Sequence, residues 1–269
     1  MMIVVKTGGS ILKNGIPKEL LLDLKKISQK DRIVLVHGGG AEVTEIASKL
    51  GKEQEFILSP EGFRSRYTDR ETIEIYTMVM AGRINKQIVT ALQAIGVPAI
   101  GISGLDGLLA KAKRKKSLIA IDERGRRRVV DGGFTGSISE IDTKLLQILL
   151  DNGYVPVVAP IAMSEEFEPL NVDGDRMAAR IAGALHAEKL VLLTDVESLT
   201  LDGKPVSKLT LEEAKDALQK IGYGMITKIH AASEALEAGI DQVLIGSGLK
   251  EAPLSSCLEH LTGTVITRE

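Results

Sequence analysis

Cysteine, aromatic residues, net charge and long apolar runs are all scarce in this 269-residue chain, and each shortage removes a class of protein. One cysteine, Cys257, forms no internal disulfide and leaves no zinc-type cluster of cysteine and histidine, so a reducing cytoplasm is the expected setting. No apolar run approaches the roughly 18 residues of a membrane span, and the start, Met1 to Lys6, is too short for the apolar core of a signal peptide. With 34 basic against 36 acidic residues there is no bulk positive charge for nucleic acid. Neither G-x-x-x-x-G-K-[ST] nor G-x-G-x-x-G occurs, which disfavours a P-loop nucleotidase and a Rossmann dehydrogenase.

What is present is an apolar fraction of 44% and 27 glycines, many of them clustered after short apolar runs. Mean hydropathy is +0.09, as for a globular chain with a sizeable core. β-Branched runs at residues 3–5, 33–36, 97–102, 155–159, 190–194 and 242–245 read as parallel strands buried on both faces. Helical patterns at 18–28, 41–51, 70–95, 139–152, 175–186, 211–220 and 228–238 alternate with them, so the fold class is α/β with repeated βαβ units. Ser139, Asp175 and Thr210 are the expected helix starts, since each places an oxygen or negative charge where free N–H groups point. Residues 108–135 break the rhythm and predict β-hairpins added to the main sheet. A lobe boundary is expected near 160–168, giving 1–165 and 166–269 on one continuous sheet.

Two glycine clusters, Lys6-Thr7-Gly8-Gly9-Ser10 and Val36-His37-Gly38-Gly39-Gly40, follow successive strands. Such turns let backbone N–H groups approach an anion, and their placement at strand C-termini predicts a two-site arrangement for two anionic molecules. His37 has no nucleophile or carboxylate near it in sequence and reads as structural. Asn171-Val172-Asp173-Gly174-Asp175 reads either as a metal-binding turn or as a helix cap. Lys228, expected at a helix start after Gly224-Met225, stands where the helix dipole disfavours a cation unless a phosphate joins it.

Taken with Gly62-Phe63-Arg64, Asn85-Lys86 and Thr194-Asp195-Val196, these motifs resemble the amino acid kinase family, in its acetylglutamate kinase branch, along the whole chain. The resemblance implies an open αβα sandwich around a mainly parallel sheet of about eight strands, with ATP and Mg²⁺ as cofactors. It implies that Lys6 and Lys228 stabilise the transferring phosphoryl group and that Asp175 organises them. Gly39, Gly40, Arg64 and Asn171 resemble acceptor-binding residues. Gly8, Gly9, Thr194, Asp195, Lys204, Gly224 and Met225 resemble nucleotide-binding residues, and no protein metal ligand is implied. A carboxylate acceptor with a pKa near 4.3 is already ionised at pH 7, which agrees with the lack of a credible base.

The run Gly62-Phe63-Arg64-Ser65-Arg66-Tyr67-Thr68-Asp69, with its second arginine, resembles the branch acting on 2-aminoadipate or glutamate attached to a small acidic carrier protein of LysW type. Residues 111–128 hold nine basic and two acidic side chains, a local net of +7 that leaves −9 elsewhere. Arg66, Lys113, Arg114, Arg126, Arg127 and Arg128 are therefore expected to dock the acidic carrier. A solvated face and contact with nucleic-acid phosphates are competing readings of the run, and no nucleic-acid or membrane partner is expected. Kinase action on free N-acetyl-L-glutamate and a non-catalytic sensor compete for the whole chain. A homodimer is expected: in the family it resembles an extra N-terminal helix goes with hexamers, whereas strand one comes first here, and the 70–95 helix carries surplus apolar surface.

Overall fold

The computed structural model describes residues 1–269 apart from 61, 63 and 122–124; Phe63 of the arginine motif and Asp122, Glu123 and Arg124 of the basic run thus lie outside the described residues. The chain begins β1 (Met2–Thr7), α1 (Lys18–Ser28), β2 (Arg32–His37) and α2 (Gly40–Lys49). A small hairpin follows, β3 (Phe56–Leu58) and β4 (Arg64–Arg66), then α3 (Arg70–Thr77), a π-helical stretch (Met78–Ile84) and α4 (Asn85–Ala94). Next come β5 (Ala99–Ser103), β6 (Ala110–Arg114), β7 (Ser117–Ile121), β8 (Arg127–Asp131), β9 (Gly136–Ile141) and α5 (Lys144–Asp151). After them stand β10 (Val155–Ala159), β11 (Ile161–Met163), β12 (Pro169–Asn171), α6 (Gly174–Leu185) and β13 (Lys189–Thr194). The chain closes with β14 (Leu199–Leu201), β15 (Lys204–Val206), β16 (Lys208–Thr210), α7 (Leu211–Asp216), α8 (Tyr223–Glu237), β17 (Gln242–Ser247), α9 (Pro253–Leu258) and β18 (Thr264–Thr267).

Eight strands form one sheet in the order β16-β18-β17-β13-β1-β2-β10-β5, parallel except where β17 meets β18. Consecutive residues of β1, Ile3 to Thr7, are all buried, and neighbours on a strand point to opposite faces, so helices cover the sheet on both sides. This is the αβα sandwich. β1 and β13 pair in register at its centre, where strands of the first half of the chain meet strands of the second. The C-terminal ends of β1, β2 and β13 therefore open on one edge. No helix among the described residues is long and apolar enough to cross a membrane.

Several local expectations change. Residues 108–135 do not extend the main sheet: β6 and β9 join β11 and β12 in a separate four-stranded sheet, and β7 and β8 pair as a two-stranded ribbon. Ala110 and Ala112 are buried while Lys111 and Lys113 are exposed, so β6 has one apolar face, which it shares with Ile138 and Leu170. Ser139 lies within β9 and its hydroxyl donates to the Lys111 carbonyl (3.2 Å). The following helix starts after Thr143 instead, with Asp142 accepting from the Lys144 N–H. Asp173 rather than Asp175 caps α6, accepting from the Arg176 N–H at 2.9 Å. Thr210 does cap α7, in a reciprocal box with Glu213. Lys228 sits one turn inside α8 rather than at its start.

The continuous helix from Arg70 to Ala94 contains a wider π turn. At its end the Asn85 amide donates to the carbonyls of Val157 (2.8 Å) and Ile102 (3.3 Å), tying the helix to β10 and β5. A distant tether does the same for the C-terminal part. The Asp23 carboxylate of α1 is buried and accepts from the N–H groups of Leu254 and Ser255 (both 2.7 Å) and from the Ser255 hydroxyl. It thus caps α9 across more than 200 residues. Asp23→Ala strands these donors in the interior, and the expected cost is about 3 kcal/mol, a fall in Tm of roughly 6 to 12 °C for a chain of this size. A thermal melt with Tm within a degree or two of the wild type would contradict the tether.

Candidate active site

The two glycine loops touch one another at the open edge. A Cβ on Gly9 would lie 2.8 Å from the Gly39 nitrogen, and one on Gly39 would lie 2.1 Å from Ile84 Cδ1. Gly39 also has φ +155, a backbone state that disfavours side chains. Met80 and Ile84 of the π-helical stretch form the seat on which the second loop rests. Such π turns gather at functional sites.

Beside the loops, three segments bring their charges to one point. Lys6 Nζ at the end of β1 lies 2.7 Å from Asp175 Oδ1, and Lys228 Nζ on α8 lies 3.3 Å from Asp175 Oδ2. The Thr227 hydroxyl also donates to Asp175 Oδ2 (3.3 Å), and the Gly224 carbonyl accepts from Lys228 Nζ (3.4 Å). The exposures of Lys6, Asp175 and Lys228 are 7%, 4% and 8%. Two ammonium groups against one carboxylate leave a buried net positive charge, which costs free energy until an anion joins it.

Burial opposes the charge of Asp175, but Lys6 and then Lys228 outweigh it and hold this carboxyl below the usual carboxylate range. Lys228 is pulled down by burial, with Asp175 opposing and Lys6 adding to the fall. Asp173 is exposed as a residue, yet its carboxyl is enclosed by cleft walls; that enclosure and the neighbouring Asp175 charge push it up.

Lys6, Asp173, Asp175 and Thr227 line a cleft of about 920 Å³. One wall is β4, with Arg64 and Arg66; the other carries Leu118 and Ile119 of the β7–β8 ribbon, with Asn171 and Thr135 between. The Asn171 amide donates to the Thr68 hydroxyl (3.0 Å) and its backbone N–H to the Phe134 carbonyl (2.8 Å), so its orientation is fixed. Phe134 is held between the guanidinium groups of Arg70 and Arg114, at 4.3 and 4.2 Å from the ring centre. Both arginines pair with Glu168.

The structure thus gathers Lys6, Gly9, Gly39, Gly40, Arg64, Asn171 and Asp175 around one cleft, with Lys228 paired to Asp175. Gly8 continues the β1–β13 ladder, its N–H donating to the Leu193 carbonyl (3.0 Å). The remaining nucleotide candidates do not line this cleft. Thr194 ends β13 and its hydroxyl donates to Asp195 (3.0 Å), Lys204 is exposed on the β14–β15 hairpin, and Gly224 and Met225 form the first turn of α8. Two docking candidates are corrected. Arg66 is 7% exposed and turned inward onto α2, and Arg114 is engaged by Phe134 and Glu168. Lys113, Arg126, Arg127 and Arg128 are exposed, the last three at the β7–β8 ribbon. Lys115 of the same run faces the cleft.

Sequence reasoning missed Thr135, whose buried hydroxyl has no partner among the described residues, and Thr227; lone threonines carry no motif. Among the described residues no group of three histidine, cysteine or acidic side chains is placed to hold a metal ion.

A parallel sheet carrying two glycine loops and a buried Lys–Asp–Lys group defines a phosphotransferase. The profile of the amino acid kinase family matches residues 1–247, and the chain belongs to that family. A Nitrosopumilus maritimus protein provisionally named a LysW-aminoadipate/LysW-glutamate kinase is 50% identical over 268 residues, the full length of both chains. A LysW-aminoadipate/LysW-glutamate kinase of Saccharolobus islandicus is 48% identical over 266 residues, 98% of this chain and 99% of its own. Among solved structures, smu.665 from Streptococcus mutans aligns with TM-score 0.81 and 25% identity over 100% of this chain and 99% of that one. Membership of a kinase family entails use of ATP.

His37 takes no part in the cleft. It is fully buried, its Nδ1 beside the Gly38 carbonyl and its Nε2 3.3 Å from the Asn85 amide. Burial lowers its pKa from 6.5 to about 4, so the folded state keeps it neutral. With the folded pKa below the unfolded one, this stability is present above about pH 6.5 and lost as pH falls toward 4. The loss amounts to about 3 kcal/mol. Urea unfolding across that range should give a steeper fall for wild type than for His37→Gln; equal slopes would contradict it.

Proposed function

We infer that the chain transfers the γ-phosphoryl group of ATP to the distal carboxylate of 2-aminoadipate, and of glutamate, whose amino group is attached to a LysW-type carrier protein. The observation that carries this reading is the buried pair of lysines on Asp175 beside two touching glycine loops, in a chain 48–50% identical to kinases of that name. The acceptor carboxylate needs no base, so the work is positioning and charge stabilisation. Arg64 and Asn171 hold the acceptor's α-carboxylate, which aims the distal carboxylate at the loops. The N–H groups of Gly9, Gly39 and Gly40 face the phosphate oxygens. Lys6 and Lys228 stabilise the charge that spreads over the transferring group, and Asp175 keeps both ammonium groups in place. Thr194, Asp195, Lys204, Gly224 and Met225 lie on the second half of the sheet edge, where the rest of the nucleotide extends.

Mg²⁺ fits as an ion borne by the ATP phosphates, since it commonly takes only one or two protein carboxylates. Asp173, the cleft carboxylate with no ion pair among the described residues, is placed to meet it, and the ion supplies charge neutralisation. The acyl phosphate product is suited to later reduction, as lysine biosynthesis requires. The β7–β8 ribbon is the carrier-docking surface in this reading, and the exposed face of the Arg70–Ala94 helix, including Met78, is the homodimer surface.

The test is ADP release and hydroxylamine trapping with Mg-ATP and four acceptors: N-acetylglutamate, free aminoadipate, carrier-linked aminoadipate and carrier-linked glutamate. Turnover confined to the carrier-linked pair is expected; preference for N-acetylglutamate would return the chain to that acceptor, and none at all would favour a sensor. Lys6→Ala and Lys228→Ala should each lower kcat by about 10²–10³-fold with circular dichroism unchanged, and wild-type turnover in either would remove its role. Replacing Arg126, Arg127 and Arg128 together by alanine should raise the carrier's KM and flatten its salt dependence with little change in kcat. An unchanged KM would take the ribbon out of docking.

A further inference from the structure

Three stretches far apart in sequence meet behind Asn171 in a closed set of hydrogen bonds. The Phe134 N–H donates to the Thr68 carbonyl (2.6 Å), the Asn171 N–H to the Phe134 carbonyl (2.8 Å) and the Asn171 amide to the Thr68 hydroxyl (3.0 Å). That hydroxyl in turn donates to the carbonyl of Arg66 at the end of β4 (3.1 Å). The set is closed by the Phe134 ring, 6% exposed, with the guanidinium carbons of Arg70 and Arg114 over it at 4.3 and 4.2 Å. Two cations on one ring repel each other, and Arg70 also occupies the first position of α3, where the helix dipole disfavours positive charge. Glu168 offsets both costs by giving one carboxylate oxygen to each guanidinium.

Glu168 is itself fixed by its turn. Its N–H donates to the Ser164 hydroxyl (3.1 Å) and its carbonyl accepts from the Ser164 N–H (2.9 Å). Phe167 between them holds φ 60, a left-handed state that costs a bulky residue free energy and persists only where the surroundings impose it. The turn leads directly into β12, whose last residue is Asn171. Arg70, Arg114, Phe134 and Glu168 stand outside the lining of the 920 Å³ cleft, so their effect on it is indirect. We propose that Glu168 is a positioning residue for the acceptor: it holds Arg70 and Arg114 on Phe134, and Phe134 holds Asn171 in the orientation the cleft requires. Ion pairs with partly exposed members add little to global stability, whereas a small displacement of a group that orients substrate is costly to turnover. The inference rests on the reading of Asn171 as an acceptor-binding residue given above.

The experiment follows Glu168→Gln, Arg114→Met and the double variant by amide hydrogen exchange and by kinetics with Mg-ATP and carrier-linked aminoadipate, or N-acetylglutamate if that is the acceptor turned over. Exchange at the Phe134 and Asn171 N–H groups should rise about tenfold or more in each variant, with the β13 amides within about twofold of wild type. The acceptor's KM should rise about fivefold or more, with kcat and the KM for ATP within about twofold. Because the cluster acts as one unit, the double variant should be no worse than the worse single one. Unchanged exchange at Asn171, an unchanged acceptor KM, or an equal rise in both KM values would overturn the proposal, the last by making the cluster a general support of the fold. Faster exchange at Asn171 in a protein whose wild type turns over no acceptor would remove the acceptor reading instead and leave Glu168 as the brace of Asn171.

Discussion

One carboxylate shared by two buried lysines is the constraint around which this chain is arranged. Lys6, Asp175 and Lys228 come from a central strand and two helices that are far apart in sequence, and they meet only when the whole sheet is assembled. The group is stable enough to exist because Asp175 is hydrogen-bonded as well as paired, and it remains short of one negative charge. That deficit lies directly beside glycine loops whose N–H groups add further positive potential. In the proposed reading, this fixed field is what stabilises the transferring group.

The central sheet was legible because strands buried on both faces must be apolar throughout, as β1, β2, β10, β13 and β17 are. The strands β16 and β18 at one side of the sheet were not read, since three or four residues with threonine and lysine leave little pattern. Ser139 misled because a serine followed by acidic residues fits a helix cap and an exposed strand position equally well. The turn 171–175 offers two carboxylates for the start of α6, and only the path of the chain decides that Asp173 caps it while Asp175 stands in its first turn. The π-helical stretch has no sequence signature, yet it supplies the seat for Gly39.

At the site, motif reading located the residues around the cleft but not their directions. Arg66 and Lys113 read alike as docking residues, whereas contacts with α2 bury the first and the pleat of β6 turns the second out. Charge counts describe a surface only after pleat and burial are known. The cluster of positive residues at 111–128 is divided in the same way, with Lys115 facing the cleft and Arg114 committed to Phe134.

The contact between the glycine loops restricts how such a molecule can change its substrate over evolutionary time. Because Gly9 and Gly39 each occupy the space where the other or its seat would need a side chain, neither loop can be varied alone. The floor is in effect a single mutational unit that tolerates almost no substitution. Novelty must enter through the rim, in the β3–β4 hairpin and the β7–β8 ribbon, which stand outside the main sheet. A lineage on this fold is therefore free to exchange acceptors while its transfer chemistry stays still.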